Sequence, residues 1–353
     1  MWRSRRLWSI FLIMGLLAAI MVGCGKKENI VAKYDGGQIT ENQYKDYINV
    51  LKAVFQDPSL AQEIDAGKKE TLQFVLNYQV MSDYVAAQVK DTDAINKTAE
   101  KNFNQYKSFV EQQLGQAKNL SQFYADKKVT EQQLKDFFLQ QSKVQEYFSK
   151  DITEVQKKQK YDQLKASGDL TRADVRHILI MTDKRSKAEA KKKAEDILRQ
   201  LRNGADFAKL AAANTEDPGS KATGGLYKDM DLSQTVPEFK KAVLTLPLNK
   251  ISDPVETQYG YHIIRVEKRT VETYDQIKDR LTLSMAQDKQ SQFLDTKVKG
   301  IIKEEQVPPS MIKAQPAQSA PVPGAPPTSS QGQNPNQQPP ASQVPADQSP
   351  AKK

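Results

Sequence analysis

The apolar and polar residues of this chain change their spacing several times, and each spacing predicts a different kind of element. In residues 30–40, "IVAKYDGGQIT", two short apolar runs flank an Asp-Gly-Gly turn, which predicts a β-hairpin. Thr40 and Gln43 then form a capping-box pair that predicts the start of a helix. As far as about residue 167, apolar residues recur at intervals of three and four, so several amphipathic helices are expected there.

The spacing changes again between residues 172 and 269, where β-branched runs alternate with short helical patterns. Residues 175–181 and 261–267 are rich in Val, Ile and Leu and predict strands. Ser186 and Glu189 form a second capping box, which predicts a helix between them and Gly204. Further short elements are expected as helices at 206–213 and 237–244 and as a strand at 251–256.

A long helical pattern follows from Thr273, which with Gln276 forms another capping box, to about Glu305. It resembles the helices before residue 167 more than the segment between them. The sequence therefore predicts an α+β protein, in which a small antiparallel sheet flanked by helices is inserted into a mainly helical domain. The strand-rich segment occurs once, so no repeat is expected.

Composition and charge agree with a soluble protein of two or three units. The chain has 353 residues, of which 38% are hydrophobic and 27% charged, with a formal net charge of +9. If Arg3, Arg5 and Arg6 are removed with a leader segment, the charge falls by three to about +6. Because this modest excess is mixed with acidic residues, it favours loose association with anionic surfaces, and we expect no nucleic-acid partner.

The N-terminus has the pattern of an export signal. Residues 1–6 are cationic, residues 7–23 carry no charge, and the single cysteine, Cys24, follows directly. The stretch "MVGC" resembles the lipobox of bacterial lipoproteins, which implies acylation of Cys24 and attachment to the outer face of the cell membrane. An uncleaved anchor and a twin-arginine signal in "SRRLW" are the alternatives.

The other end of the chain has the composition of a disordered tail. Residues 308–353 consist mainly of Pro, Gln, Ser and Ala and contain 12 of the 17 prolines. With almost no large apolar side chains, this segment cannot bury enough surface to offset the entropy of ordering.

The chain has only two histidines, His177 and His262, each within a predicted strand. Strand periodicity puts both imidazoles on faces shared with aliphatic side chains, which for an isolated histidine favours a buried, hydrogen-bonded side chain. A metal site would need a third ligand, such as Asp217, and no His-x-x-x-His spacing is present. Hydrolytic catalysis is disfavoured because no Gly-x-Ser-x-Gly elbow occurs. We expect neither a metal nor a cofactor.

Four motifs within residues 172–269 together resemble the parvulin-type peptidyl-prolyl isomerase domain. They are "VRHILI", "DFAKLAAANTEDPGSKATGGL", "VPEFKKAVLTL" and "ISDPVETQYGYHIIRV", in this order. Together with the lipobox and the flanking helical segments, the whole chain resembles the PrsA-type extracytoplasmic foldase lipoproteins of Gram-positive bacteria.

The resemblance implies roles for individual residues. It implies a polar catalytic group of His177, Asp217, Thr257 and His262, and an apolar proline pocket of Leu226, Val236 and Phe239. The family commonly has Gly-Gly-Asp-Leu-Gly where this chain reads "GGLYKDMDL", with Tyr227 where a glycine would stand. A pocket of different width is therefore expected.

The implied function is cis/trans isomerisation of X-Pro bonds in unfolded or partly folded secreted polypeptides. The alternative is a chaperone that holds unfolded chains without catalysis. The oligomeric state stays open, with a dimer as one alternative. The predicted organisation is a signal peptide (1–23), a helical chaperone-like segment (24–170), an isomerase domain (171–269), a helix that joins the helical domain (270–307) and the disordered tail (308–353).

Overall fold

The computed structural model describes residues 28–115 and 119–313. The predicted signal peptide (1–23), Cys24, and residues 314–353 of the predicted tail lie outside the described residues. Within the described part of the chain, no helix combines the length and the apolar character needed to cross a lipid bilayer.

The described residues form an α+β protein, as predicted. The strands are β1 (Ile30–Tyr34), β2 (Gly37–Thr40), β3 (Thr171–Met181), β4 (Leu226–Asp231), β5 (Val255–Thr257), β6 (Gly260–Val271) and β7 (Ile302–Glu305). The α-helices are α1 (Glu41–Val54), α2 (Pro58–Asp65), α3 (Lys69–Ala86), α4 (Asp93–Leu114), α5 (Leu120–Lys127), α6 (Glu131–Ser149), α7 (Glu154–Ala166), α8 (Lys187–Arg202), α9 (Phe207–Asn214), α10 (Pro237–Thr245), α11 (Tyr274–Thr296) and α12 (Val298–Ile301).

The chain divides into two compact units. The first comprises the residues up to Ala87, Asn96–Gln140 and the residues from Lys297 onward, and the second comprises Gln88–Ile95 and Gln141–Thr296. The second unit is longer than the predicted isomerase segment 171–269, because helices α7 and α11 belong to it. Tyr161 of α7 and Ile277 of α11 are buried in one apolar cluster.

The sheet of the first unit contains a strand that the sequence pattern did not predict. Its order is β2-β1-β7, all antiparallel, and Lys33 of β1 pairs with Glu304 of β7. The prediction of one helix to Glu305 is wrong, because α11 ends at Thr296 and residues 302–305 extend along the free edge of β1. Pairing with β1 satisfies backbone groups that an edge strand would leave open.

The described residues include the first six residues of the predicted tail, which was expected to begin at residue 308. Residues Pro309–Met311 form a 3₁₀-helix, and Met311 and Ile312 pack against the apolar core of the first unit. Residues 308–313 therefore belong to the folded first unit, because these two apolar side chains give them a surface to bury.

The core of the first unit lies between its sheet and its helices. Thr40 caps α1 through the predicted capping box, and Tyr44 in the next turn is fully buried with its hydroxyl donating to the Leu72 carbonyl at 2.5 Å. Helix α3 carries a partly buried carboxyl group: Asp83 Oδ1 accepts a hydrogen bond from Gln140 Nε2 at 2.5 Å. Burial raises the pKa of Asp83 to about 6, although the hydrogen bond from Gln140 opposes the shift.

The sheet of the second unit is antiparallel with the order β4-β3-β6-β5. One face packs on α8 and α9 through Ile178, Ile180 and Ile263. The other face packs on α10 through side chains that include Val175 and Ile264. The two histidines belong to the α10 face, so the predicted sharing of a face with aliphatic residues is confirmed.

Local predictions in this unit are mostly confirmed. Ser186 caps α8 with the expected capping box, and α10 occupies the predicted helical segment. The predicted strand at 251–256 is wrong in extent: Ile251 makes a single bridge to Arg265, and β5 covers only Val255–Thr257.

Candidate active site

Two buried histidines meet on the central strands of the second unit. His177 lies in β3 opposite Ile264, and His262 lies in β6 opposite Leu179, so the two imidazoles are diagonal neighbours on one face. Their Nδ1 atoms are 3.2 Å apart, and the ring planes differ by 13°. Each residue is 5% exposed. The sequence placed both residues correctly, and the register brings them into contact.

Asp217 reaches this pair from the loop that follows α9. The loop is fixed to β3 because Leu179 N–H donates to Thr215 Oγ1 at 3.1 Å and Glu216 N–H donates to the Leu179 carbonyl at 2.9 Å. Asp217 Oδ2 then lies 2.9 Å from His177 Nε2. The three residues predicted from separate motifs are thus joined.

The neighbouring Glu216 anchors the same loop through charge. Arg185 binds both carboxylate oxygens, at 2.6 and 2.8 Å, and the Met181 N–H donates at 2.8 Å. Burial alone would raise the pKa of Glu216, but these hydrogen bonds and Lys193 outweigh it and lower the pKa to about 2. Glu216 is therefore ionised at neutral pH and holds the loop that carries Asp217.

Asp217 accepts hydrogen bonds on both oxygens. Oδ2 accepts from His177, from Ser220 Oγ and from the Tyr227 hydroxyl at 3.0 Å, and Oδ1 accepts from Gly219 N–H at 3.2 Å. The bond to His177 outweighs burial and, with Ser220 and Tyr227, holds the pKa of Asp217 well below its usual range. Ser220 was not predicted, although its position three residues after Asp217 in "DPGS" is typical of a side-chain-bonded turn.

Thr257 completes the polar cluster on the far side of His262. Its Oγ1 lies 2.9 Å from His262 Nε2 and accepts from Tyr259 N–H at 3.2 Å. The tight turn into β6 needs Gly260, whose φ is +140° and whose added Cβ would lie 2.1 Å from the Ile180 carbonyl oxygen.

Burial, with a smaller effect of His177, lowers the pKa of His262 to about 3, so this imidazole is neutral at physiological pH.

With both imidazoles neutral, the hydrogen atoms of this cluster have one consistent arrangement. The ionised Asp217 can only accept, so His177 donates from Nε2 and leaves its Nδ1 as an acceptor. His262 must then donate from Nδ1 to His177, and its Nε2 accepts from the Thr257 hydroxyl. All three hydrogen bonds run in the same direction, from Thr257 to Asp217.

Phe239 provides the apolar side of the cluster. Its ring is edge-on to both imidazoles, with centroids 5.5 Å from His177 and 5.3 Å from His262, and it is 4% exposed. Val236 and Met230 are partly buried against the same apolar group. Phe239 and Val236, which the sequence assigned to an apolar pocket, thus lie in one apolar group, together with Met230, which the sequence did not identify.

The prediction that Leu226 lines the same pocket is corrected by the sheet register. Leu226 of β4 pairs with Arg176, whereas Tyr227 pairs with Val175. Directly paired residues of antiparallel strands share a face, so Leu226 lies on the face away from the histidines and Tyr227 lies on theirs. The Tyr227 ring centroid is 5.6 Å from that of His177. The position that looked like a departure from the family pattern is thus inside the site.

The geometry is unsuited to two other kinds of chemistry. Ser220 Oγ lies 3.1 Å from His177 Nε2, but Asp217 binds that same nitrogen, so no Ser-His-Asp relay is formed. Ser220 is also fully buried. Within the described residues, no three His, Cys, Asp or Glu side chains are grouped so that they could hold a metal ion. The cluster instead offers a fixed, ionised carboxylate beside an apolar wall.

Comparisons with known proteins identify the family of this chain. A model of the PPIC-type PPIase domain matches residues 155–270. The chain is similar to "Foldase protein PrsA" of Caldanaerobacter subterraneus subsp. tengcongensis, with 30% identity over 317 residues, covering 85% of this chain and 94% of that protein. It is also similar to "Chaperone SurA" of Pseudomonas syringae pv. syringae, with 37% identity over 117 residues, covering 33% of this chain and 27% of that protein.

Among solved structures, the chain is similar to a peptidylprolyl isomerase (PrsA) from Bacillus anthracis. The identity is 21%, the TM-score is 0.38, and the match covers 68% of this chain and 99% of that chain.

Proposed function

The chain belongs to the family of PrsA foldases, which carry a PPIC-type peptidyl-prolyl isomerase domain, and we propose that the cluster around His177, His262 and Asp217 is where its isomerase activity takes place. The chain is thus a peptidyl-prolyl cis/trans isomerase and foldase that acts on proline-containing polypeptides. The observation that supports the site is the position of Asp217. Its side chain is 16% exposed, against 6% for His177, so it is the end of the hydrogen-bonded chain that a substrate can reach.

The reaction breaks no covalent bond. Rotation about an X-Pro amide has a barrier of roughly 18–20 kcal/mol because amide resonance is lost in the twisted geometry. Uncatalysed exchange therefore takes tens to hundreds of seconds. An isomerase has to bind the twisted amide more tightly than either planar form, and this requires no nucleophile.

The polar cluster supplies a fixed charge for this purpose. Amide resonance places negative charge on the carbonyl oxygen, and this charge decreases when the bond twists. A carboxylate held near that oxygen, as Asp217 is held by His177 and Ser220, raises the energy of the planar form relative to the twisted form. A difference of about 4 kcal/mol corresponds to a rate increase of close to 10³, which preorganised groups in a protected site can provide.

The apolar side holds the proline ring. Phe239 is fixed against both imidazoles, and Val236 extends the same wall toward solvent. Contact of the pyrrolidine ring with this wall would orient the amide toward Asp217. Removal of water from the ring and the carbonyl strengthens the electrostatic effect.

The test is an isomer-exchange assay on a short X-Pro peptide. We expect the full chain to accelerate exchange, Asp217→Ala to lose most of the acceleration, and the exposed Asp253→Ala to keep it. A full-length protein with no rate above the uncatalysed exchange contradicts the proposed function. Equal rates for both variants contradict the proposed site only.

The extracytoplasmic location and the lipid anchor are also part of this proposal. The apolar segment 7–23 and the lipobox-like "MVGC" support attachment of the chain through Cys24, so that its clients would be secreted polypeptides. Mass spectrometry of the mature N-terminus tests this, because an unmodified Cys24 contradicts the anchor.

A second candidate function, a chaperone that holds unfolded chains, is favoured by exposed aromatic residues of the first unit. Phe55, Phe74 and Phe109 are 43%, 52% and 43% exposed. Exposed apolar side chains of this size provide contact surface for unfolded polypeptides. We expect Phe74→Ser to weaken suppression of client aggregation by the full chain, while Leu283→Ser in the second unit leaves it unchanged. Equal suppression by both variants contradicts this role for Phe74.

A further inference from the structure

Tyr227 lies at the centre of the site although no motif identified it. The β4 register turns its side chain toward the histidines, and its hydroxyl donates to Asp217 Oδ2 at 3.0 Å. Its ring centroid is 5.6 Å from that of His177. Burial, together with the nearby Asp217 carboxylate, raises the pKa of Tyr227 to about 12, so the phenol keeps its proton and remains a donor at neutral pH.

The backbone opposite Tyr227 is shaped to receive this hydroxyl. A Cβ added to Gly219 would lie 2.3 Å from the Tyr227 oxygen, 3.4 Å from the ring carbon that bears it, and 3.5 Å from Asp217 Oδ1. Gly219 has no positive φ, so its conformation is open to any residue. The absence of a side chain at 219 is therefore required by the phenol oxygen and not by the backbone.

From these contacts we propose that Tyr227 is a positioning residue for the isomerase reaction: its hydroxyl, seated against Gly219, fixes the Asp217 carboxylate toward the substrate amide. This inference rests on the proposed function of the site. Oδ2 accepts from three donors, and two of them, His177 and Ser220, are buried beneath it. Tyr227 is the partly exposed donor of the three, so it restrains the carboxylate on the side that the substrate approaches.

Loss of the Tyr227 hydroxyl should lower kcat without changing KM. Loss of the hydroxyl leaves the aromatic ring and the Phe239 wall in place, so binding of the proline ring is unaffected. The carboxylate, however, gains freedom to turn away from the amide. We expect Tyr227→Phe to lower kcat about tenfold, equivalent to ~1.4 kcal/mol, and to leave KM within about twofold.

The chain offers a matched control on the other face of the same sheet. The Tyr261 hydroxyl donates to Glu256 Oε2, also at 3.0 Å, and the Tyr261 ring packs with Ile178 and Ile180. Tyr261→Phe thus removes the same kind of hydrogen bond from the same unit without touching the site, and we expect both constants to stay unchanged.

A double-mutant cycle tests whether the Tyr227 hydroxyl depends on its contact with Gly219. Gly219→Ala should displace the phenol and lower kcat about as much as Tyr227→Phe does. In the Tyr227→Phe background the clashing oxygen is gone and the added methyl meets only ordinary contacts, so Gly219→Ala should have little further effect. Such strong coupling is expected for groups in contact or in one hydrogen-bond network, whereas the effects of independent sites add. Independent, additive losses would overturn the proposal, as would an unchanged kcat in Tyr227→Phe.

A spectroscopic readout separates failure of this inference from failure of the proposed function. With one donor fewer on Oδ2, the His177 Nε2–H bond to Asp217 should shorten, and its proton resonance should move downfield in Tyr227→Phe but not in Tyr261→Phe. If the wild-type chain has no isomerase activity, the proposed function fails, and with it the role in catalysis. An unchanged resonance in Tyr227→Phe refutes the positioning of Asp217 itself.

Discussion

His177 and His262 face each other through their Nδ1 atoms at 3.2 Å, although neither is the cross-strand partner of the other. Two N–H groups or two lone pairs would repel at this distance, so two neutral rings in this position must have different tautomers. We expect His177 to carry its proton on Nε2 and His262 to carry it on Nδ1. Long-range ¹H–¹⁵N spectra can test this directly, because the chain has only two histidines. The same tautomer in both rings would contradict the assigned direction of the hydrogen bonds.

The Thr257 hydroxyl is the first donor in the series of hydrogen bonds that ends at Asp217, so its removal should affect all of these residues. Thr257→Val keeps the shape of the side chain but leaves the buried His262 Nε2 without its donor. We expect the free energy of unfolding to fall by ~1–3 kcal/mol and kcat in the peptide assay to fall several-fold. Thr282→Val is the control, since that hydroxyl bonds only to the Lys278 carbonyl of its own helix. Equal losses in both variants would contradict a role for the Thr257 hydroxyl.

Acid should weaken the second unit through His262. Its pKa is about 3 in the folded chain, below the ordinary value of 6.5, so below pH 6.5 the unfolded state binds a proton that the folded state does not. The free energy of unfolding should therefore decrease by up to ~1.4 kcal/mol per pH unit between pH 6.5 and about 3. Hydrogen exchange of β3 and β6 measured from pH 7 to pH 4 reports this loss. His262→Leu should flatten the dependence, and an unchanged slope would contradict the assignment to His262.

Asp83 should give the stability of the first unit the opposite pH dependence. Its folded-state pKa is raised from 3.8 to about 6, so the folded state binds the proton more tightly. The stabilisation from this proton is present at acid pH and is lost as the pH rises from about 4 to 6, by up to ~1.4 kcal/mol per unit. Asp83→Asn should remove this dependence in hydrogen exchange of α3. A first unit that loses protection toward acid in this range would contradict the prediction.

Alanine variants of two glycines should distinguish the effect of backbone strain from the effect of a steric clash. Gly225 and Gly204 both have positive φ, +83° and +92°, but an added Cβ at Gly225 would lie 2.2 Å from the His177 carbonyl oxygen, whereas at Gly204 it meets nothing within 4 Å. We expect Gly204→Ala to lower the free energy of unfolding by about 1 kcal/mol, because alanine is strained at this positive φ. Gly225→Ala should cost several times more and should also lower kcat, because β3 must move at His177. Equal unfolding free energies for the two variants would contradict a close contact between Gly225 and the His177 carbonyl.

The sequence predicted elements whose signals are local. The capping boxes at Thr40 and Ser186 each lie within four residues, and both form as expected. Strand β7 was missed because its partner, β1, lies about 270 residues away along the sequence. The sequence of residues 302–305 has no local pattern that predicts this pairing. Four residues following a helical pattern read more naturally as its continuation.

The site shows the same division between local and distant information. His177, Asp217, Thr257 and His262 were identified by their motifs, and the structure brings all four together. Leu226 was misplaced by one residue because only the pairing of β4 with β3 decides which face a side chain takes. A shift by one position in a strand exchanges the two faces, and this is why Tyr227 first looked like a departure from the family pattern.

The sheet order β2-β1-β7 also fixes the sequence of events in folding. Lys33 and Glu304 are 271 residues apart, so the first unit cannot complete its sheet until nearly all of the described chain has been synthesised. Apart from Gln88–Ile95, the second unit is one continuous stretch that ends at Thr296, and its contacts can form before residues 302–305 have been synthesised. Because contacts of long sequence separation form slowly, the isomerase unit should become folded first. The first unit, with its exposed phenylalanines, would then complete its sheet only after the isomerase unit has folded.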